Sequence, residues 1–301
     1  MVFSAFPEAD TIRNIVRDID RDTRRRIEQT LPFKIHFQEL GEHKLHVAFR
    51  GNRPVGLMYV RTEQMEWGIA EIGWALSLEC RVLGFAFANS RSDDTRELPR
   101  SAFAKTLIGC DYAALHALHE SPAPAGEADT RNAGPARTVL RSAMKATLVV
   151  DLVWVDQVSK LADLAMLYDE LPFATPGRRH VIRPEPRLGT EQHLLALHVI
   201  EARGEAGFPL GRVARTRITL GGSGTGGAER EIELRWVIDP AGRILRVTPA
   251  ASWPDEQLRL MCSALRGRPL VDPALPGNPL AAVAREISAE LTQLAGRRPG
   301  R

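Results

Sequence analysis

The side chains able to do chemistry are few and scattered in this chain. His43 and His46 are three apart in an extended segment, so they point to opposite faces and cannot share a metal ion. His116 and His119, three apart in a helical segment, could share one. No cysteine or carboxylate at ligand spacing joins them, and zinc wants three or four donors. There is no Gly-x-Ser-x-Gly elbow, Walker loop or Cys-x-x-Cys pair, and Cys80, Cys110 and Cys262 read as small buried hydrophobes. The run Gly221-Gly222-Ser223-Gly224-Thr225-Gly226-Gly227 has the composition of a phosphate cradle. It falls between two strands rather than before a helix N-terminus, so it reads as a hairpin loop. Arg24-Arg25-Arg26 could grip phosphate, but on a polar helix with carboxylates nearby it reads as a solvated face. No catalytic constellation emerges.

Composition narrows the classes. The 301 residues suggest two domains, and 44% hydrophobic with 26% charged residues is ordinary globular usage. A net charge of +3, from 40 basic against 37 acidic residues, is too small for a nucleic-acid footprint. The basic residues are mostly arginine; the lysines are Lys34, Lys44, Lys105, Lys145 and Lys160. No apolar run approaches the ~18 residues of a membrane-spanning helix. No signal peptide is visible, and three scattered cysteines suit a reducing compartment, so a cytoplasmic location is expected.

The elements that must position any site follow from periodicity. Asp10 has the character of an N-cap, and Ile12, Ile15, Val16 and Ile19 follow at helical spacing, which predicts an amphipathic helix. Next come short strands at Lys34–Leu40, Lys44–Arg50, Val55–Arg61, Ile69–Leu76 and Val82–Phe87, an antiparallel meander. Helices are predicted at Ser101–Ile108 and Tyr112–His119, a mobile loop at Glu120–Arg137, and a long helix from Thr138 on to Tyr168. The proline-rich stretch Leu171–Gln192 reads as a linker between a domain over 1–170 and a second over 193–301. Strands follow at Leu194–Ala202, Arg212–Leu220, Glu231–Ile238 and Ile244–Pro249, then helices at Asp255–Leu265 and Leu280–Leu294.

The two halves repeat. Trp74-Ala75-Leu76 with Arg81-Val82-Leu83 matches Trp236-Val237-Ile238 with Arg243-Ile244-Leu245 at an offset of 162 without a gap. Pro54-Val55-Gly56 resembles Pro209-Leu210-Gly211, and Gly109 and Gly267 each stop a helix. Asp239-Pro240-Ala241-Gly242 is a tight turn by composition, whereas Ser77–Cys80 lacks glycine and predicts a different turn. The expected fold class is α+β: two similar units, each a twisted antiparallel sheet with helices packed on one side, the second unit shorter.

Phe6-Pro7-Glu8-Ala9-Asp10, the strand containing Gly56 and the Trp74–Phe87 hairpin together resemble the FMN-binding domain family. Its members occur in ion-translocating respiratory oxidoreductases and in regulators of nitrous-oxide respiration. The resemblance continues through Phe103 and the closing Gly109. In the family, a Ser-Gly-Ala-Thr segment then opens the last helix, and its threonine carries FMN through a phosphoester bond. The corresponding segment is Gly134-Pro135-Ala136-Arg137-Thr138, running on to Ser142, so the resemblance makes Thr138 the attachment position. Pro135 and Arg137 interrupt the run of small residues, which points to FMN held without a covalent link.

Two functions are then expected as alternatives. In one, FMN phosphate lies near Gly134 and Thr138 with Arg137, Arg141 and Ser142. Its ring stacks on Trp67, Trp74 or Trp154, and the protein transfers electrons to a redox partner. In the other, both units keep the fold without the cofactor and act as a protein-binding or assembly module.

Overall fold

Strands rich in apolar residues build two five-stranded sheets in the computed structural model. It describes residues 2–35, 41–65, 68–89, 97–121, 133–184, 193–220, 230–249 and 256–296. The chain divides into two compact units, Met1–Ala165 and Met166–Arg301.

In unit 1, strands β1 (Thr11–Ile19), β2 (Gly41–Arg50), β3 (Arg53–Met65), β4 (Gly68–Leu76) and β5 (Val82–Asn89) form an antiparallel meander in sequence order. The first of these replaces the helix expected after Asp10. Its spacing fits a helix, but Ile12, Ile15, Val16 and Ile19 are β-branched and suit a strand. They pair along β2, from Thr11 opposite Phe49 to Ile19 opposite Gly41. Asp10 caps no helix. Its carboxylate accepts the Gly51 amide at 2.7 Å, and that bond holds its pKa below the ordinary value. The strand expected at Lys34–Leu40 is absent from Lys34 and Ile35, and its remainder lies outside the described residues.

Helices of unit 1 are α1 (Val2–Ala5), α2 (Arg21–Thr30), α3 (Ala102–Leu107), α4 (Tyr112–Glu120) and α5 (Ala133–Val153), followed by α6 (Val155–Glu170), which runs into unit 2. Asp20, Ser101 and Asp111 cap α2, α3 and α4 by accepting the amides of Thr23, Ala104 and Ala114. Arg24 pairs with Glu28 at 2.7 Å and Arg25 with Asp22 at 3.3 Å, so the arginine run is a solvated face with local carboxylates. The long helix expected up to Tyr168 breaks at Trp154. Of the expected loop, residues 122–132 lie outside the described set, and Gly134–Arg137 already belong to α5.

Unit 2 repeats the meander with β6 (Thr175–Ile182), β7 (Leu194–Arg203), β8 (Pro209–Leu220), β9 (Arg230–Ile238) and β10 (Ile244–Pro249), then α7 (Glu256–Ala264) and α8 (Pro279–Gly296). The proline-rich stretch read as a linker therefore holds a strand. Pro176 is tolerated because β6 is an edge strand. The glycine run 221–227 lies outside the described residues. No helix among the described residues is long and apolar enough to cross a membrane.

The repeat holds at the level of single hydrogen bonds. Ser77 and Asp239 each give their amide to the carbonyl of the arginine four residues on, at 2.8 and 2.9 Å. Ser77 Oγ and Asp239 Oδ1 accept the amides of Arg81 and Arg243. Gly109 and Gly267 donate to Val82 and Ile244 at 2.8 and 2.7 Å. The two turns, expected to differ, are the same: Cys80, with φ of 58°, takes the left-handed position that Gly242 holds at 82°.

Candidate functional site

One face of β3 carries Leu57, Tyr59, Arg61, Glu63 and Met65, all buried, as the period of 2 along a strand requires. Helix α5 packs on β3 and β4. Its residues Thr138, Arg141 and Lys145 stand at i, i+3 and i+7, on one stripe. Strand row and helix stripe meet at a cleft of about 980 Å³, whose wall also includes Phe33, Lys34 and His43.

The floor of the cleft is ionic. Lys145 Nζ lies 2.5 Å from Glu63 Oε2, and Arg61 Nε lies 3.4 Å from Glu63 Oε1. Arg61 is 4% exposed, and Glu63 and Lys145 are each 7% exposed. Burial pulls the Arg61 pKa down against the opposing pull of Glu63. Burial, then the Arg61 charge, pulls Lys145 down, again against Glu63. Beside them, Tyr59 Oη and His43 Nδ1 are 2.7 Å apart. Burial, reinforced by the Glu63 charge, raises the Tyr59 phenol, and burial lowers His43. Near neutral pH the phenol keeps its proton and can donate it to a neutral imidazole. At the side of the cleft, the Arg141 guanidinium lies 5.2 Å from the centre of the Phe33 ring.

Unit 2 shows what the fold does without this chemistry. Register places Leu45, Tyr59 and Trp74 abreast in unit 1, and Val199, Ala214 and Trp236 abreast in unit 2. Counting from those rows, Leu197 stands for His43, Ala214 for Tyr59, Thr216 for Arg61 and Ile218 for Glu63. All of these are buried, and the buried side chains described on α8 are apolar: Leu280, Ala281, Val283, Ala284 and Ile287. The same sheet and turn thus close over an almost wholly apolar row. Ion burial costs several kcal/mol per charge before pairing offsets it, so the ionic floor of unit 1 is not a requirement of the fold.

Two of the residues expected from the sequence reach this cleft, Thr138 and Arg141. Gly134 and Arg137 sit in the first turns of α5, Arg137 exposed, and neither lines the cleft. Ser142 is fully buried and accepts the Trp74 indole N–H at 2.9 Å. Trp74 has 0% exposure and packs on Phe85 at 5.0 Å, so its ring has no face for a ligand. Trp154 is equally buried, edge-on to Tyr59, and Trp67 lies outside the described residues. His43, Tyr59, Arg61, Glu63 and Lys145 were not expected. Their signal is polar residues at inward positions of a strand, plus one lysine amid the apolar run of α5.

The cysteines offer no nucleophile here. Burial raises Cys80 to about 12 and Cys262 to about 11, and raises Cys110 as well. Only Cys110 is partly exposed. Thiol titration of the native chain with a coloured disulfide at pH 8 should therefore show one reacting group, Cys110, ahead of the other two. Equal reactivity of all three would contradict the burial of Cys80 and Cys262.

The chain matches no protein-family model, no curated protein and no solved structure.

Proposed function

We propose that unit 1 is a binding module for a small anionic ligand held in the cleft between β3 and α5. The observation that carries this reading is the inward row of unit 1, ionic where the matching row of unit 2 is almost wholly apolar. Among the described residues lining the cleft, Lys34, Arg61, Arg141 and Lys145 stand against Glu63 alone. A concave wall of that sign concentrates anions, and partial burial strengthens each charge-assisted hydrogen bond.

FMN is the specific ligand suggested by the sequence resemblance, and its two ends fit unequally. Thr138 and Arg141 are on the cleft wall and suit a phosphate. For the ring, Trp74 and Trp154 offer no exposed face, and half-buried Phe33 is the aromatic residue available beside Arg141. A bound flavin would supply the redox chemistry, with the chain's own residues binding and orienting it. In this reading the protein works in the cytoplasm with a redox partner. The cofactor-free alternative, a protein-binding or assembly module, is favoured for unit 2 by Leu197, Ala214 and Ile218 at the positions of His43, Tyr59 and Glu63.

Thermal melts with FMN, riboflavin and inorganic phosphate test this. A ligand at a hundredfold its Kd should stabilise the protein by about 2.7 kcal/mol. Arg141→Ala, removing one charge-assisted contact worth about 1.5–3 kcal/mol, should weaken anion binding roughly 10- to 150-fold. Stabilisation by FMN but not riboflavin supports the flavin reading; stabilisation by phosphate alone leaves an anion site without flavin. If no anion shifts the melt, the proposal fails.

A further inference from the structure

We propose that Lys145 is an imine-forming lysine, whose ε-amine condenses with the carbonyl carbon of a small oxo acid held in the cleft. This rests on the anion-binding reading of the same site and adds a substrate class and a reaction to it.

The argument begins with burial. Lys34, Lys44, Lys105 and Lys160 are all exposed, while Lys145 is buried and still forms part of the cleft wall. A lysine becomes a nucleophile when it is desolvated or set beside another cation. Lys145 meets both conditions, since Arg61 is the cation that acts on it and burial acts in the same direction. It also has a base in place, Glu63 Oε2, at 2.5 Å. The remaining cations of the wall suit the carboxylate of the substrate: Arg61 shares Glu63 with Lys145, and Arg141 lies one turn before Lys145 on the same stripe.

The step balances with these groups alone. Glu63 takes a proton from the Lys145 ammonium, leaving a free amine. The nitrogen lone pair forms the C–N bond as the carbonyl π bond breaks, and a proton passes from nitrogen to oxygen to give a carbinolamine. Glu63 returns its proton to the departing hydroxyl, the C–O bond breaks, and water leaves as the protonated imine forms. Nothing is oxidised or reduced, and Glu63 ends as it began. In unit 2, Ile218 stands where Glu63 would be, so the matching position offers no base.

The test is reductive trapping on the full chain. Pyruvate and sodium cyanoborohydride are added, and modified lysines are mapped by peptide mass spectrometry. A carbonyl held against the amine reacts at a raised effective concentration, so Lys145 should be labelled on the order of tenfold or more ahead of the four exposed lysines. Acetone, which lacks the carboxylate, should lose that preference. Lys145→Arg keeps a cation beside Glu63 and should abolish the dominant adduct. If that variant misfolds, the wild-type map decides alone. Labelling that follows exposure, or that spares Lys145, overturns the inference. If phosphate still stabilises the protein in that case, the binding reading survives and only the imine chemistry falls. If neither is seen, both fall.

Discussion

Glu63→Ala is expected to cost unit 1 about 3–5 kcal/mol of folding stability, the usual penalty for removing one partner of a buried ion pair. The loss comes from what remains. Arg61 and Lys145, each less than a tenth exposed, each lose the carboxylate oxygen that faces them, 3.4 and 2.5 Å away. A truncated surface glutamate would cost a small fraction of that. The contrasting variant replaces the whole cluster. Arg61→Thr and Glu63→Ile install the residues found at the matching positions of unit 2, Thr216 and Ile218, and Lys145→Met removes the last charge. Replacing a buried ionic group by packed apolar residues is often neutral or stabilising by about 1–4 kcal/mol. The triple variant should therefore recover most or all of the loss while weakening anion binding, since Lys34 and Arg141 stay on the cleft wall. Hydrogen exchange of the β3 and α5 peptides reads the change locally. A Glu63→Ala protein within ~1 kcal/mol of wild type would mean that the cluster is solvated, and the contrast between the two units would lose its energetic basis.

That contrast also marks what could be read from the sequence. Strands β2 to β5 and β7 to β10, the helices that follow them and the Trp-to-Arg spacing were legible, because period-2 alternation and a shared offset are local signals. β1 was not, because Ile12, Ile15, Val16 and Ile19 satisfy the spacing of a helix while their β-branching favours a strand, and only pairing with β2 decides. The turn at Cys80 was misread for a similar reason. Composition says that a left-handed residue should be glycine, yet the hydrogen bonds of Ser77 with Cys80 and Arg81 hold a cysteine there. β6 was hidden by the surrounding prolines and by Pro176 within it, which an edge strand tolerates.

The cleft was half legible. Thr138 and Arg141 came from the resemblance, whose attachment motif falls on a short segment at the start of α5. The rest of the site is a conjunction of two periods, i, i+2, i+4 on β3 and i, i+3, i+7 on α5. Neither period is unusual alone. β3 also extends beyond the predicted end at Arg61, so Glu63 was assigned to a loop and its inward position went unseen. Trp74 lies in the core, where a tryptophan of an inner strand packs, and Ser142 is buried with it because it accepts that indole N–H.

Gly211→Ala is expected to destabilise unit 2 by roughly 2–5 kcal/mol, and Gly56→Ala to destabilise unit 1 by less, although the two glycines occupy the same place in the repeat. Each stands one residue before the position paired with the end of the Trp strand, Leu57 opposite Leu76 and Arg212 opposite Ile238. Their reasons for being glycine differ. At Gly211, φ is +135°, and a Cβ would lie 2.2 Å from the Ile238 carbonyl oxygen. That oxygen belongs to the β9 backbone and cannot yield without disturbing the ladder to β8. At Gly56 a Cβ would instead meet the Phe6 ring at 2.1 Å. Phe6 packs in a small cluster with Ala48, Met58 and Ala75, so the ring can leave at the cost of its burial, about 1.5–3 kcal/mol. A double-mutant cycle separates the cases. Phe6→Ala should absorb most of the cost of Gly56→Ala, giving a strongly non-additive pair, because the side chain it removes is the obstacle. No side-chain truncation should rescue Gly211→Ala. Additivity at Phe6 and Gly56 would show that the shared Pro-x-Gly motif reflects a common backbone need, and a Gly211→Ala protein as stable as wild type in urea would show that the Ile238 carbonyl is no obstacle. The two units thus share one register, and each has its own use for the missing side chain. In the same way one inward row is ionic and the other almost wholly apolar.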